Sequence, residues 1–84
     1  MMPVTIDPES PVAPYRQVAA ILRGRIESGK YTSRLPSIAG LTQEFGIART
    51  TAAKALRLLA AEGLAAASEG MGYYVVPPAG RTQG

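Results

Sequence analysis

The sequence predicts a single, mainly α-helical domain that ends in a small β-hairpin. Three segments place apolar residues at helical spacing, and two short strand-like runs follow them around a glycine-containing tip. The 84 residues are enough for one domain. Hydrophobic residues make up 46% of the chain, a share typical of globular proteins, so we expect the chain to fold.

The first 14 residues predict an extended N-terminal arm. Four of the seven prolines lie there, and proline both fixes φ and lacks a backbone N–H, which disfavours a helix. We expect the folded domain to span residues 15–77. Residues 78–84 predict a flexible tail.

Residues 15–28 predict the first helix. Its apolar positions fall within about 100° of one another, and charged residues fall opposite, so the segment is amphipathic. The apolar positions are Tyr15, Val18, Ala19, Leu22 and Ile26, and the charged ones are Arg16, Arg23 and Glu27. Gly29 supplies a stop at the C-terminal end.

Two further helices are predicted on either side of a tight turn. One runs over about 38–45 after Ser37 at the N-cap position, and the other over about 49–62 before Gly63. The turn between them contains Gly46. Their apolar positions are Ile38, Leu41 and Phe45, then Ala52, Ala55, Leu56 and Leu59. Two short helices around such a turn indicate a helix-turn-helix.

The hairpin completes the predicted order of elements. Residues 64–68 and 73–77 are strand candidates, with a tip at 69–72, and residues 30–36 form a loop with at most one short strand. A helix, a helix-turn-helix and a hairpin in this order predict a winged helix-turn-helix.

The composition argues against an enzyme. Cysteine and histidine are absent, which removes ordinary zinc sites, disulfides, thiol nucleophiles and histidine general bases. The carboxylates show no paired spacing, and no phosphate-binding glycine loop is present. We therefore expect no catalytic residues, no cofactor and no metal.

The N-terminus lacks a basic region followed by an apolar run, so it does not resemble a signal peptide. No stretch approaches the length of apolar sequence that spans a membrane. A soluble cytoplasmic protein without a membrane partner is the simplest expectation.

The charge distribution points to nucleic acid. The net charge of +3 is mild and is compatible with a solubility feature. Between Glu44 and Glu62, however, Arg49, Lys54 and Arg57 occur without an acidic residue, and Thr50 lies within about 60° of the last two, opposite the apolar stripe of the third predicted helix. Ala53 keeps this face low. We expect residues 49–62 to act as a recognition helix in the major groove of double-stranded DNA.

Each candidate also has a plainer interpretation. Cations opposite an apolar stripe usually form only a solvated face, although their place on the second helix of a helix-turn-helix favours DNA. Ser37 is foremost an N-cap, yet a serine there also suits a phosphate oxygen, with Arg34 as a nearby cation. At the hairpin tip, Gly70, Met71 and Gly72 permit close approach to DNA but equally form a tight turn.

Four blocks resemble the DNA-binding domain of GntR-type (gluconate-repressor-type) bacterial transcription regulators, over about three quarters of the chain. The blocks are Tyr15-Arg16-Gln17-Val18, Leu35-Pro36-Ser37, Phe45-Gly46-Ile47-Ala48-Arg49-Thr50-Thr51, and Ala55-Leu56-x-x-Leu59-x-x-Glu62-Gly63-Leu64. The resemblance implies that Arg49, Thr50 and Thr51 contact DNA and that Ser37 contacts a phosphate. It also implies a homodimer on a pseudo-palindromic operator, and repression as the commonest outcome.

The sequence departs from the family pattern at several places. The loop before Leu35 is about two residues short and lacks the usual Pro-Gly. Ala39 and Ala53 stand where the family often has arginine, and Glu69 makes the wing tip less basic. These departures favour weak binding by a monomer, strengthened by dimerisation, partner proteins or clustered sites.

The chain stops after the wing, where family members continue into a domain that binds a metabolite and dimerises. We expect no small-molecule effector domain in this chain, which either lacks effector control or is a fragment. The alternative function is a winged-helix protein-interaction module without DNA binding. Salt dependence separates the two, because only a DNA binder releases counterions from phosphates.

Overall fold

The computed structural model describes residues 6–7, 9–31, 33–68 and 72–76. Three helices precede a two-stranded antiparallel hairpin. They are α1 (Pro14–Glu27), α2 (Ile38–Phe45), α3 (Arg49–Ala61), β1 (Ala65–Ser68) and β2 (Gly72–Val75). The predicted winged helix-turn-helix is confirmed, with element ends that shift by one or two residues.

α3 lies at the centre of the domain and packs against α1, α2 and β1. The apolar stripes predicted for α1 and α3 face the core. Fully buried side chains from all three helices meet there: Val18, Leu22, Leu41, Leu56 and Leu59. Each buried leucine contributes about 1.5–3 kcal/mol of hydrophobic stabilisation. One side of α3 is therefore fixed to the domain, and the opposite side faces outward.

The turn between α2 and α3 depends on Gly46. Its φ of 65° is left-handed, a conformation that glycine adopts without the strain of a Cβ, and its N–H donates to the Thr42 carbonyl at 2.9 Å. α3 begins three residues later, where the Ala52 N–H donates to the Ala48 carbonyl at 3.0 Å. The turn thus sets the direction in which α3 leaves α2.

A third extended segment joins the hairpin. The Leu35 N–H donates to the Tyr73 carbonyl at 3.1 Å, and the Val75 N–H donates to the Ser33 carbonyl at 2.7 Å. Between them, Arg34 forms an isolated antiparallel bridge with Tyr74. The short strand that the sequence left open within residues 30–36 is present as this bridge, which ties the wing to the loop before α2.

The N-terminal segment differs from the predicted extended arm. The Ser10 N–H donates to the Asp7 carbonyl at 3.2 Å, which closes a turn. The Gln17 side chain in α1 donates to the carbonyls of Asp7 (2.9 Å) and Val12 (2.8 Å) and accepts the Asp7 N–H at 2.8 Å. Gln17 thus satisfies backbone groups that an extended arm leaves to water, and Ile6 packs against the core.

Residues 1–5 and the predicted tail at 78–84 lie outside the described residues. Among the helices that are described, none combines the length and the apolar character needed to cross a bilayer.

Candidate nucleic-acid interface

The outward side of α3 forms a shallow groove of about 320 Å³. Its lining consists of Ile38, Arg49, Thr50, Ala53, Lys54 and Arg57. These α3 positions recur every three or four residues, so they share one helix face. The groove therefore combines three cations, one hydroxyl and a small residue that keeps its floor low, and no lining residue carries a carboxylate.

The acidic residues that flank this face in the sequence are engaged elsewhere. Arg23 of α1 donates to both carboxylate oxygens of Glu62, at 2.9 and 2.8 Å, and Arg25 donates to Glu44 at 2.7 Å. The hydrogen bond to Glu44 is the main cause that raises the pKa of Arg25. Within the described residues, no ion pair reaches the three cations of the groove.

Arg49 connects the groove to a second cavity beneath the wing. This cavity of about 260 Å³ is lined by Pro36, Ser37, Ile38, Ala39, Arg49, Leu56, Gly72 and Tyr73. Ser37 is exposed, and its Oγ accepts the Gly40 N–H at 3.0 Å, which confirms the predicted N-cap. Since Oγ is the acceptor in that bond, its own hydrogen can still be donated to a ligand.

α3 begins without a capping side chain. Its N-cap residue is Ala48, which has no side-chain oxygen to accept a first-turn N–H. The free N–H groups and the positive end of the helix dipole favour an anion at this end of the helix. Arg49, the first helical residue, adds a full positive charge there.

Two of the predicted site residues, Thr51 and Arg34, line neither the groove nor the cavity beneath the wing. Thr51 is half-buried and lines a separate cavity of about 330 Å³ between the turn, Ile6 and Pro14. Arg34 is exposed on the wing's sheet opposite Tyr74. Of the predicted wing contacts, Gly72 lines the cavity that Ser37 and Arg49 share, whereas Gly70 and Met71 fall outside the described residues.

The start of α1 contributes two residues that the sequence analysis did not assign to the site. The Lys54 Nζ lies 5.8 Å from the centre of the Tyr15 ring. Arg16 donates from Nε to the Tyr15 hydroxyl at 3.2 Å, and this hydrogen bond is the main cause that lowers the pKa of Tyr15. Helical periodicity placed Tyr15 on the core side and Arg16 opposite, so only the packing of α1 on α3 reveals that Tyr15 adjoins Lys54 while it accepts a hydrogen bond from Arg16.

The described residues contain no grouping of histidine, cysteine, aspartate or glutamate that fits a metal ion. What the surface does offer is a set of cationic and hydroxyl donors around an outward-facing helix. Such a set suits the phosphates and base edges of a nucleic acid.

Comparison with known proteins identifies the same architecture. The solved structure of YtrA from Sulfolobus acidocaldarius, a GntR-family transcription factor, matches with a TM-score of 0.80 at 29% identity and covers 90% of this chain and 82% of that one. AraR(DBD) in complex with operator ORX1 matches with a TM-score of 0.75 at 28% identity, covering 86% of this chain and 94% of that one.

The sequence relatives agree. The histidine utilization repressor of Pseudomonas putida is 36% identical over 76 residues, which cover 88% of this chain and 31% of that protein. The chain thus spans about a third of the length of the curated relatives it matches. The family model described as "Bacterial regulatory proteins, gntR family" matches residues 14–75. The resemblance found in the sequence blocks is confirmed, and the chain belongs to the GntR family of bacterial regulatory proteins.

Proposed function

We propose that this chain is a sequence-specific DNA-binding unit of a transcription regulator, with α3 as the recognition helix in the major groove. The observation that carries the proposal is the outward face of α3, where Arg49, Lys54 and Arg57 line one groove without a carboxylate. The structures of AraR(DBD) in complex with operators support it, since they share this fold.

The first step of the mechanism is the approach of α3 to the base edges. The major groove is about 12 Å wide and admits a helix whose other side is fixed to a domain. Arg49 and Arg57 present planar guanidinium groups that suit the two acceptors of guanine, and Thr50 suits a base or a thymine methyl group. Ala53, in the middle of the groove lining, allows this close approach.

The second step is the positioning of the domain on the phosphates. Ser37 retains a hydroxyl hydrogen to donate after it caps α2, and it shares a cavity with Arg49. The uncapped start of α3 lies beside the same arginine. These groups form the donor set that a backbone phosphate takes up at a helix N-terminus, and they fix the register in which α3 reads the bases. Arg34, Thr51 and the wing tip at Gly70, Met71 and Gly72 remain further candidates for contacts.

We further propose repression as the regulatory outcome and a homodimer as the binding species. The name of the Pseudomonas putida relative, a repressor, supports the first point. A domain of this size contacts one half-site, so two copies on a pseudo-palindromic operator double the contacts. The chain acts in the cytoplasm, where a bacterial operator is accessible, and it performs no catalysis.

The test is a fluorescence-anisotropy titration with DNA from the region upstream of the chain's own gene, with mixed-sequence DNA as the reference, over a range of salt concentrations. We expect the upstream DNA to bind more tightly. The logarithm of the affinity should fall linearly with the logarithm of the salt concentration, with a slope of about −0.9 for each phosphate contacted. Absence of binding by the folded chain at low salt would instead support a protein-interaction module.

A matched pair of lysine variants makes the test specific to the groove. Lys54→Ala and Lys30→Ala each remove one positive charge, but Lys54 lines the groove whereas Lys30 follows the far end of α1. We expect Lys54→Ala to weaken binding and to lower the salt slope by about one unit, and Lys30→Ala to leave both nearly unchanged. Equal losses for the two variants would reduce the groove to a general charge effect.

A further inference from the structure

A pair of side chains at the start of α1 borders the recognition groove and has no role in the function proposed so far. Tyr15 is the second residue of α1 and Arg16 the third. The Tyr15 ring lies under Lys54, a residue of the groove, with 5.8 Å between the ring centre and Nζ. The groove therefore borders the wing cavity at Arg49 and the Tyr15–Arg16 pair at Lys54.

The hydrogen bond within the pair leaves donors facing outward. Arg16 uses Nε–H for its bond to the Tyr15 hydroxyl, so both terminal amino groups of its guanidinium remain. Tyr15 accepts that bond and keeps its own O–H to donate. Arg16 is exposed, and no carboxylate of the described residues pairs with it. The pair thus offers a phenol donor and a charged fork side by side.

The position of the pair matches a phosphate rather than a base. When α3 lies in the major groove, the backbones of the two DNA strands run along the two sides of the helix. Ser37 and the wing cavity occupy one side of the α3 groove, next to Arg49. The start of α1 occupies the other, where Pro14 and Thr51 share a cavity and Tyr15 reaches Lys54.

We propose that Tyr15 and Arg16 form a phosphate clamp for the DNA strand on the side of α3 away from the wing. Arg16 supplies the charge and the guanidinium fork, and Tyr15 acts as a positioning residue that orients the fork and adds its hydroxyl. Lys54, packed over the same ring, joins the clamp to the recognition face. The proposal rests on the proposed function, since it requires α3 to lie in the major groove.

The test compares the 84-residue chain with four variants on the same mixed-sequence duplex and the same upstream DNA, across salt concentrations. The variants are Arg16→Ala, Tyr15→Phe, their combination, and Lys30→Ala as a cation at the far end of α1. We expect Arg16→Ala to weaken binding to both DNAs by roughly five- to tenfold and to lower the salt slope by about 0.9, as loss of one phosphate contact does. Lys30→Ala should change neither by a comparable amount.

Tyr15→Phe separates the positioning role from the charge. The phenyl ring keeps the packing under Lys54 and loses the hydroxyl, so we expect a smaller loss of affinity with a nearly unchanged salt slope. Added to Arg16→Ala, it should cost less than it does alone, because the fork that it orients is already gone and only the contact of the hydroxyl itself is lost. Far-UV circular dichroism and thermal unfolding establish that each variant is folded.

A further variant, Arg16→Lys, keeps the proposal testable if the Tyr15→Phe protein does not fold. Arg16→Lys keeps the charge and loses the Nε–H bond, so we expect the salt slope to survive while part of the affinity is lost. Equal effects of Arg16→Ala and Lys30→Ala would overturn the clamp. If Lys54→Ala weakens binding and Arg16→Ala does not, only the clamp fails; if the folded wild-type chain binds no DNA, the proposed function fails with it.

Discussion

The cations of this small domain fall into two groups, which differ in whether a carboxylate pairs with them. Arg23 and Arg25 of α1 lie against carboxylates, at 2.8 Å from Glu62 and 2.7 Å from Glu44. The cations of the α3 groove have no such partner among the described residues. The first group ties α1 to the C-terminal end of α3 and to α2, and the second stays available to an external anion.

The contrast explains how a net charge of +3 can support DNA binding. The two carboxylates nearest the recognition helix in sequence, Glu44 and Glu62, are paired with arginines of α1. The electrostatic field at the α3 face is therefore more positive than the net charge indicates. A charge count along the sequence misses this, since it does not show which cations are already paired.

The strongest test of this difference is to remove one of the groove cations that pair with no carboxylate of the described residues. We expect Arg49→Ala to weaken specific DNA binding by about 1–3 kcal/mol, because Arg49 adjoins both the base-reading groove and the cavity with Ser37. Thermal stability should hardly change, because Arg49 is exposed and pairs with no carboxylate of the described residues. Anisotropy titrations and circular dichroism melts measure the two quantities.

Arg49→Lys is the matched control, since it keeps the charge and loses the planar fork. We expect it to retain binding to mixed-sequence DNA and to lose preference for the upstream DNA. Unchanged affinity of a folded Arg49→Ala protein would remove Arg49 from the site.

Removing a paired cation should have the opposite pattern. Arg25 donates to Tyr31 at 2.8 Å and to Glu44, and its guanidinium lies 5.6 Å from the Phe45 ring centre. We expect Arg25→Ala to lower the free energy of unfolding by about 1–2 kcal/mol, a modest value because Glu44 is 40% exposed and the pair is partly screened. DNA affinity of the folded fraction should stay constant.

Urea denaturation monitored by circular dichroism measures this loss. Arg23→Ala is the comparison, and we expect a smaller loss because both partners of the Arg23–Glu62 pair are 34% exposed. A large loss of DNA affinity by a folded Arg25→Ala protein would contradict the division into two groups.

The elements that the sequence predicted well are those with strong local signals. The apolar stripe of α3 gave its buried face, and the outward face followed from 3.6-residue periodicity. Ser37 before α2 and Gly46 after it marked helix ends through local backbone chemistry. Arg49, Thr50, Lys54 and Arg57 come together in one groove because they share one helix.

The features that the sequence missed depend on contacts distant along the chain. Arg23 and Arg25 showed no sign of their partners, since Glu62 lies 39 positions from the first and Glu44 lies 19 from the second. The turn held by Gln17 looked like an extended arm because proline content does not reveal a side chain ten residues on. Tyr15 reaches Lys54 only through the packing of α1 on α3.

Ser37 allows a finer test, because one residue serves both the fold and the proposed site. Ser37→Ala should lower the free energy of unfolding by about 1 kcal/mol through loss of the bond to the Gly40 N–H. Ser37→Asp should leave stability within about 0.5 kcal/mol, since aspartate caps helices as well as serine. It also places a negative charge where a phosphate is proposed, so we expect a several-fold loss of DNA affinity.

Denaturation curves and anisotropy titrations of the two Ser37 variants separate the roles. If Ser37→Asp binds DNA as tightly as the wild-type chain, Ser37 is an N-cap only. The expected result is a stable Ser37→Asp protein with weakened DNA binding. It would show that the Ser37 hydroxyl, like the groove cations, contributes to DNA binding separately from its role in stability.

The smallest expected effect concerns the titration of Tyr15. The hydrogen bond from Arg16, its charge and that of Lys54 together lower the pKa of Tyr15, so its phenolate should form at lower pH than the ordinary value for tyrosine. Because the pKa is lower in the folded state, the associated stability is present above the unfolded value of 10.0 and is lost as pH falls through the folded pKa. The lowered pKa of Tyr15 therefore contributes nothing to stability near neutral pH.

Phenolate absorbance during a pH titration measures this shift. It should show an early component that Arg16→Ala delays and Tyr15→Phe removes. An early component that survives Tyr15→Phe would assign the shift to another tyrosine.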